Sequence, residues 1–448
     1  MKIVVVGGGP AGLYFSILAR LRSGGQDEIV LAERNAPGTA SGFAVTLGED
    51  ILDELYRTDP LGAERVRSAA HVWDSQVVEV SGRAVHLGGR YGYSIGRARL
   101  LEVLAERARQ VGVKLEFDTA VAADGDVAAD PLTADADVVV AADGVSSALR
   151  AARSDAFGTR IAHGRNRYVW FGTSKPFRPF TFAFEKTHAG WIWFHAYPAA
   201  DCVSTCIVEC TPETWTGLGL DTAAPDEAMR MLEQIFARSL DGHALIAPPG
   251  MGSSPWLQFR EVRNMSWRDG NVVLAGDAAH TTHFAIGSGT VLAVADSIAL
   301  AEELYPRGTR GTTDVEAALA GYDARRRAAM APVQRMARAS MEWFETVPER
   351  LENADDALAF SWSLLDRRND QGRINERLHR ATQVEAVRQL RRRLTDARRV
   401  RRALARGEIT PREALQRCAA ARPRVRARRT AQTRSPASPR ARNECVRP

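Results

Sequence analysis

The stretch IVVVGGGPAGLYFSILA, residues 3–19, decides the fold. Ile3 to Val6 form a continuous apolar strand, and from Pro10 the chain reads as a helix running to about Leu21. Between them lie Gly7, Gly9 and Gly12 in the spacing GxGxxG. The first glycine permits a tight turn, the second lets a pyrophosphate approach the backbone, and the third lets the helix pack on the strand. Pro10 and Ala11 open that helix, whose first peptide N–H groups are available to phosphates. DEIVLAER at 27–34 supplies a second strand and completes a βαβ opening. Glu33 at its tip, with Arg34 beside it, stands 21 residues beyond Gly12. A carboxylate there accepts a hydrogen bond from a ribose 2′-OH and repels a 2′-phosphate, so the site suits FAD or NAD and disfavours NADP. The run is interrupted by GGGP and preceded by one lysine, Lys2, so it reads as structure and not as a signal peptide.

With 448 residues the chain exceeds the size at which one hydrophobic core keeps growing, and two or three closely joined domains are expected. Hydrophobic residues make up 45% and charged residues 25%, an ordinary globular composition. No stretch approaches the roughly 20 uncharged apolar residues that cross a bilayer, so the expectation is a cytoplasmic protein. Five cysteines agree with that compartment. Cys202, Cys206 and Cys210, evenly spaced in CVSTCIVEC, read as buried thiols on one strand face, because zinc motifs pair close ligands with a second cluster. The net charge of +6 hides an asymmetry: from Arg388 onward stand 20 arginines and four acids, a balance of +16 that leaves −10 on the body. The basicity belongs to the C-terminal stretch, and a nucleic-acid binder is not implied.

RARLLEVLAERARQVG (97–112) has helical spacing with Gly112 as its stop, and KLEFDT and DADVVVAADG (135–144) return to strand. From Asn166 the segments RYVWFGTS, FTFAFEK, GWIWFHAY and CVSTCIVE, each bounded by turn residues, predict an antiparallel sheet inserted as a second domain. NVVLAGDAAH (271–280) goes back to the first sheet, and TVLAVADSIALAEEL (290–304) is a helix. The expected fold is therefore α/β: a Rossmann-like nucleotide domain, an inserted antiparallel-sheet substrate domain and a helical C-terminus. The expected boundaries are 1–160 for the first part of the nucleotide domain, with an excursion into the substrate domain at about 70–95. Then come 161–268 for the inserted sheet, 269–365 for the return with its helices, 366–420 for C-terminal helices, and 421–448 for a basic disordered tail. Helices are expected over 314–345 and 370–405, the second carrying an apolar stripe at 387, 390, 394, 397, 400 and 404. Thr410-Pro411-Arg412-Glu413 is a helix start, with a capping threonine, a proline at the first position and a glutamate at the third. For the tail, a dispensable extension and a partner-binding role both stay open; the lack of interleaved aromatics weighs against nucleic acid.

Two later segments separate FAD from NAD. ADVVVAADGVSSALR (136–150) puts Asp143-Gly144 at the end of a strand, and GDAAHTTHFAIGSGT (276–290) puts Gly276-Asp277 likewise. In order and content the GxGxxG start, the central DG and the late GD resemble the group A flavoprotein aromatic hydroxylases, over about residues 1–365. The resemblance implies a Rossmann-like FAD-binding domain of the para-hydroxybenzoate-hydroxylase type. It also implies that the GD aspartate, Asp277, hydrogen-bonds the ribityl chain, and that the peptides of Gly287, Ser288, Gly289 and Thr290 face the isoalloxazine. Arg97, in Arg97-x-x-Leu100, matches the family arginine that approaches the FAD phosphates and ribose. NRYVWFGTSKPF (166–177), AFEKTHAGWIWFHAYPA (183–199) and STCIVECTPETW (204–215) are similar to a branch of the family acting on salicylyl-CoA-like thioesters or on a tryptophan-derived indole. Those two substrates stay open, as does the position hydroxylated.

The resemblance further implies the reaction. NADH or NADPH, bound transiently, reduces FAD; O₂ then gives a flavin C4a-hydroperoxide that transfers oxygen to an electron-rich ring. An oxidase or dehydrogenase on the same fold, without oxygen insertion, is the alternative. Such chemistry needs few reactive side chains, since the cofactor carries it. No HExxH and no Ser-His-Asp order with an oxyanion elbow is present. His195 and His283 are the titratable candidates for touching the substrate, although a histidine is as readily a packed core residue. Trp191, Trp193, His195 and Tyr197 share one strand face, so Trp193 and His195, with Phe284, are expected as pocket wall. Arg165, Arg167, Lys175 and Lys186 are candidates for a CoA phosphate. No metal is expected at Asp277, His280 and His283, because the ribityl chain claims the aspartate. The wider family has a proline where Phe284 stands and an asparagine where Thr290 stands, which argues against a simple phenol. Expected partners are a small aromatic substrate and O₂, with no membrane, in a monomer or homodimer.

Overall fold

The computed structural model describes residues 1–39, 42–121, 126–248, 256–306, 314–367, 377 and 379–420. The tail at 421–448 and residues 370–376 of the stretch assigned to a helix lie outside the described residues. In chain order the strands are β1 (Lys2–Val6), β2 (Glu28–Ala32), β3 (Ala44–Leu47), β4 (His71–Val80), β5 (Arg83–Gly96), β6 (Lys114–Glu116) and β7 (Val138–Ala141). There follow β8 (Arg160–Thr173), β9 (Phe180–Thr187), β10 (Gly190–Ala200), β11 (Val203–Cys210), β12 (Leu245–Ile246), β13 (Leu257–Arg263), β14 (Arg268–Asp269) and β15 (Val272–Leu274).

Two sheets result. The first runs β14-β15-β7-β1-β2-β6 and is parallel except at β14. Ile3, Val4 and Val5 are fully buried, as are Val138 to Ala141, because helices cover both faces of a parallel sheet and leave no polar side. The helices Pro10–Arg22 and Gly289–Leu304 pack together above it, with the Ser297 hydroxyl donating to the Ala11 carbonyl at 2.8 Å. The register pairs Val6 with Ala32 and with Ala141, and Leu274 with Ala141. The carboxyl ends of four strands are therefore level, and the loops after them gather along one edge, where ligands bind in such sheets.

The second sheet runs β12-β8-β11-β10-β9-β4-β5-β3, with β13 added on β8. It is antiparallel except where β4 lies parallel to β9. Residues 71–96 thus belong to this sheet, and β3 ties it to the loop before the helix at Glu49.

Two local expectations need correction. The helix Glu385–Ala405 forms, but its stripe does not face the body: Val387, Leu390, Leu394 and Leu404 are exposed. Its end is held by charge instead: Arg402 pairs with Asp50 at 2.8 Å, and Arg406, just past the helix, pairs with Asp53 at 2.8 Å and with Glu49, all acids of the helix Glu49–Thr58. Cys206 and Cys210 are buried free thiols, whereas Cys202 occupies the exposed β10–β11 turn and is disulfide-bonded. The capping box forms as read: the Glu413 amide donates to Thr410 Oγ1 at 3.2 Å, and the Thr410 amide donates to Glu413 Oε2 at 2.8 Å. Among the described residues no helix is long and apolar enough to cross a membrane.

Candidate functional site

The three glycine and aspartate motifs meet at the level strand ends. Gly7 has φ +112° and lies so close to the DG strand that a Cβ would come within 2.4 Å of the Ala142 carbonyl oxygen. At Gly12 a Cβ would fall 2.0 Å from the Gly7 oxygen, so both glycines serve packing of the chain on itself. Gly9 differs. A Cβ there would meet nothing within 4 Å, and the surface at the mouth of the helix Pro10–Arg22 is open to an incoming group. Glu33 sits at the lip, accepting the Gly8 amide at 2.7 Å and the Asn35 amide at 2.9 Å, with Arg34 exposed beside it.

Across the cleft, Asp143 Oδ2 accepts the Ala148 amide at 2.9 Å while Oδ1 is buried without a partner. An unmatched buried acceptor of this kind fits a polar ligand beside it. Burial raises the Asp143 carboxyl above its ordinary pKa. Asp277 is reached by solvent yet surrounded by protein, as at the foot of a cleft. Burial raises its pKa, while His280 and Arg97 pull it back. Gly287 and Gly289 are exposed at the start of the helix Gly289–Leu304, with Ser288 fixed by Thr282 at 2.9 Å. Open peptides at two helix mouths, a cleared surface at Gly9 and carboxylates at the cleft floor together fit a dinucleotide with a hydroxylated chain.

Sequence reasoning did not find the supports of this loop. Asp296 is fully buried and accepts the Gly276 amide at 2.9 Å, His280 Nε2 at 2.8 Å and Arg326 Nε at 2.7 Å. Burial alone would raise its pKa; His280 and Arg326 overcome that and hold it below the ordinary carboxylate range. Arg150 joins the two motifs, donating to the Ala278 carbonyl at 3.0 Å and to the Val145 carbonyl at 2.7 Å. His280 is thus a structural anchor, and among the described residues no group of three His, Cys, Asp or Glu side chains could hold a metal.

A cavity of about 160 Å³ opens between this loop and the second sheet. Phe284, Ile286 and Gly287 line it from the loop, and Phe180, His195 and Tyr197 from β9 and β10. Thr46 of β3 closes the seam, its hydroxyl 3.4 Å from the Gly287 carbonyl oxygen. The rings are nearly coplanar in orientation: Phe180 lies 5.1 Å from Tyr197 at 18° and 6.0 Å from His195 at 9°. His195 stacks on Phe284 at 5.8 Å and 18°. Burial, reinforced by Arg367, depresses the His195 pKa to about 3, so the imidazole is neutral, with Nδ1 buried and unpartnered.

Other expected wall residues lie elsewhere. His283 is not among the lining residues; it packs 4.2 Å from the Phe284 ring and 5.2 Å from Phe259. Burial, then His195 and Arg367, depress its pKa to about 3 as well. Trp193 is fully buried behind the wall, donating to Glu209 Oε2 at 3.2 Å. Arg165 pairs with Glu213 at 2.6 Å, Lys175 donates to the Ser239 carbonyl at 2.7 Å, Arg167 lies over Trp215 and Lys186 over Trp191. None of these four cations lines the cavity. Two arginines do, Arg90 and Arg367, and sequence reasoning named neither.

Comparison with known proteins adds to this geometry. Residues 1–337 match the FAD binding domain family. A salicyloyl-CoA 5-hydroxylase from a Streptomyces species is 35% identical over 84% of this chain and 71% of its own length. A 3-hydroxy-4-methyl-anthranilyl-[aryl-carrier protein] 5-monooxygenase of Streptosporangium sibiricum is 36% identical over 78% of this chain and 90% of its own. Protodeoxyviolaceinate monooxygenase of Chromobacterium violaceum is 33% identical over 78% and 91%. Among solved structures, 2-methyl-3-hydroxypyridine-5-carboxylic acid oxygenase superposes with TM-score 0.60 at 16% identity, covering 82% of this chain and 95% of that one.

Proposed function

Because the chain belongs to the FAD binding domain family and is an aromatic-ring monooxygenase, we propose that it hydroxylates an electron-rich ring carried on an aromatic acyl thioester, with NADH or NADPH as reductant. The observation that carries this reading is the shared cavity, walled on one side by the loop after Asp277 and on the other by the aromatic face of β9 and β10. Two of the relatives are named for aryl thioester substrates, which supports the acyl-thioester assignment. In this reading the nine-stranded sheet is the substrate-binding part of the molecule.

Bound FAD supplies hydride acceptance and oxygen activation. Gly9 and the peptides of Pro10 and Ala11 would hold its pyrophosphate, with Gly7 and Gly12 shaping the turn that presents them, Glu33 and Arg34 its adenosine end, and Arg97, Asp143 and Asp277 its polar chain. The peptides of Gly287 to Thr290 would face its ring. Phe180, Tyr197 and Phe284 exclude water from the reacting ring, which strengthens every polar contact inside. Neutral His195 offers a hydrogen bond to a ring hydroxyl and so orients the ring; with its pKa depressed to about 3 it positions that hydroxyl and does not remove its proton. His283 orients Phe284 from behind.

A second reading, an indole-containing substrate, is favoured by the nearly parallel planes of Phe180, His195 and Tyr197, which give the cavity an aromatic wall for a fused ring. The test follows NADH and NADPH consumption by the FAD-loaded protein with salicylyl-CoA and with indole-bearing metabolites, alongside product mass. A product heavier by one oxygen atom supports hydroxylation and identifies the ring. Hydrogen peroxide as sole oxygen product, with a substrate oxidised by two electrons and gaining no oxygen, sinks the reading in favour of an oxidase.

A further inference from the structure

The ladder between β4 and β5 is regular except at one place. Trp73 pairs with Gly92 and Ser75 with Gly88, so a two-residue step on β4 opposes a four-residue step on β5. Arg90 sits in the middle of that widened stretch, in the sequence Gly88-Gly89-Arg90-Tyr91-Gly92. Bulges of this kind re-aim side chains beside functional sites. Here Trp73 and Gln76, three apart on one strand, both line the cavity, which a regular strand with alternating sides would prevent. Arg90 lines it with them.

These groups are polar and unmatched. Trp73 Nε1 and Gln76 Oε1 are buried without a partner. Arg90 donates no hydrogen bond and forms no ion pair among the described residues. Its charged neighbour is Arg391, a second cation, on the helix Glu385–Ala405. Burial and Arg391 together disfavour its charge. Other sequestered arginines are matched: Arg107 by Asp59, Arg326 by Asp296 and Arg406 by Glu49, with Arg150 and Arg367 on backbone carbonyls. His379, whose pKa is depressed to about 4 by burial and then by Arg391 and Arg90, is neutral and supplies no countercharge to either.

Resting on the reading of the cavity as the substrate site, we propose that Arg90 binds an oxyanion carried by the substrate. A guanidinium fork matches a carboxylate or a phosphate, and both groups present the same chemistry to it. The anionic handle is held at the β4–β5 wall, which sets which edge of the ring meets the loop after Asp277. The oxyanion comes either from a carboxylate on the ring or from the phosphate of a pantetheine thioester.

Calorimetric titration of the full-length, FAD-loaded protein with salicylate, salicylyl-CoA and neutral salicylamide tests this. The wild type is expected to bind at least one anion roughly 10- to 100-fold more tightly than salicylamide. Arg90→Gln is expected to bring that ratio to near unity without changing salicylamide binding, and Arg90→Lys to restore part of it. Preference for salicylate identifies the ring carboxylate as the source; preference for salicylyl-CoA alone identifies the phosphate. An unchanged ratio in Arg90→Gln, at equal FAD content and unfolding midpoint, overturns the proposal, as does a wild type that binds salicylamide as tightly as both anions. Should Arg90→Gln fail to fold, Arg90→Met, which keeps the apolar stem and loses the charge, replaces it under the same criterion. If no ligand is hydroxylated but the Arg90-dependent ratio persists, the functional reading fails and this one stands.

Discussion

Asp296 and His280 are hydrogen-bonded at 2.8 Å beneath the loop that carries Asp277, and the same Asp296 oxygen accepts the Gly276 amide. The position of Asp277 is therefore set by a carboxylate one helix away. Asp296→Ala leaves His280 unmatched and the Arg326 charge buried alone, and breaking a buried pair in this way costs about 3–5 kcal/mol. The expected outcome is a purified protein with a reduced flavin-to-protein absorbance ratio and a lower urea midpoint. A variant with full flavin content and wild-type stability would show that the loop holds itself.

Gly9→Ala separates cofactor binding from folding. Since the added methyl meets no protein atom within 4 Å and φ is an ordinary −76°, stability of the apoprotein should change by less than about 0.5 kcal/mol. FAD affinity should fall about tenfold, because the methyl enters the space a pyrophosphate needs. Equal FAD affinity in wild type and variant, read by flavin fluorescence titration, would place the pyrophosphate elsewhere.

Acid should destabilise the protein partly through two buried imidazoles. His195 and His283 have folded pKa values depressed to about 3, below the roughly 6.5 of an unfolded histidine. Their contribution is complete above pH 6.5 and is lost as pH falls towards 3, since only the unfolded chain takes up protons in that window. His195→Gln should reduce the slope of stability against pH by about 1.4 kcal/mol per unit between pH 6 and 4. Denaturant unfolding at several pH values checks it; parallel slopes for wild type and variant would contradict a neutral, sequestered His195.

Glu209 works in the opposite direction. Burial raises its pKa to about 7 despite hydrogen bonds from Asn166 and Trp193, so its stabilising contribution is full below about 4.5 and is lost as pH rises through 7. Glu209→Gln should flatten the stability profile between pH 5 and 8, at the cost of one acceptor. Unfolding midpoints at those two pH values decide it.

The α/β class and the cofactor cleft were legible because their signals are local and demanded by backbone geometry. Gly7 and Gly12 admit no side chain where the chain crosses itself, and IVVV can only be a strand buried on both faces. The cavity wall was legible in part. Strand alternation assigns Trp193 and His195 to one face but says nothing of position along a curled sheet, where Trp193 meets Phe344 and His195 meets Phe180. Asp296 lies in an apolar helix, and its partners stand 16 residues before it and 30 after, beyond any local pattern. Arg90 reads in sequence as part of a glycine-rich turn, because a bulge is a property of two strands and not of one.

The outward stripe of the helix Glu385–Ala405 means that this segment is moored by charge and not by oil. Attraction between solvent-exposed charges is confined to about 10 Å at 0.1 M salt and about 3 Å at 1 M, so added salt slackens the Arg402 mooring on Asp50 while leaving the apolar interior untouched. Arg406, only 4% exposed, slackens less. Ionic strength therefore sets how firmly the Arg402 end of this helix is held against the helix Glu49–Thr58, separately from the apolar packing of the body.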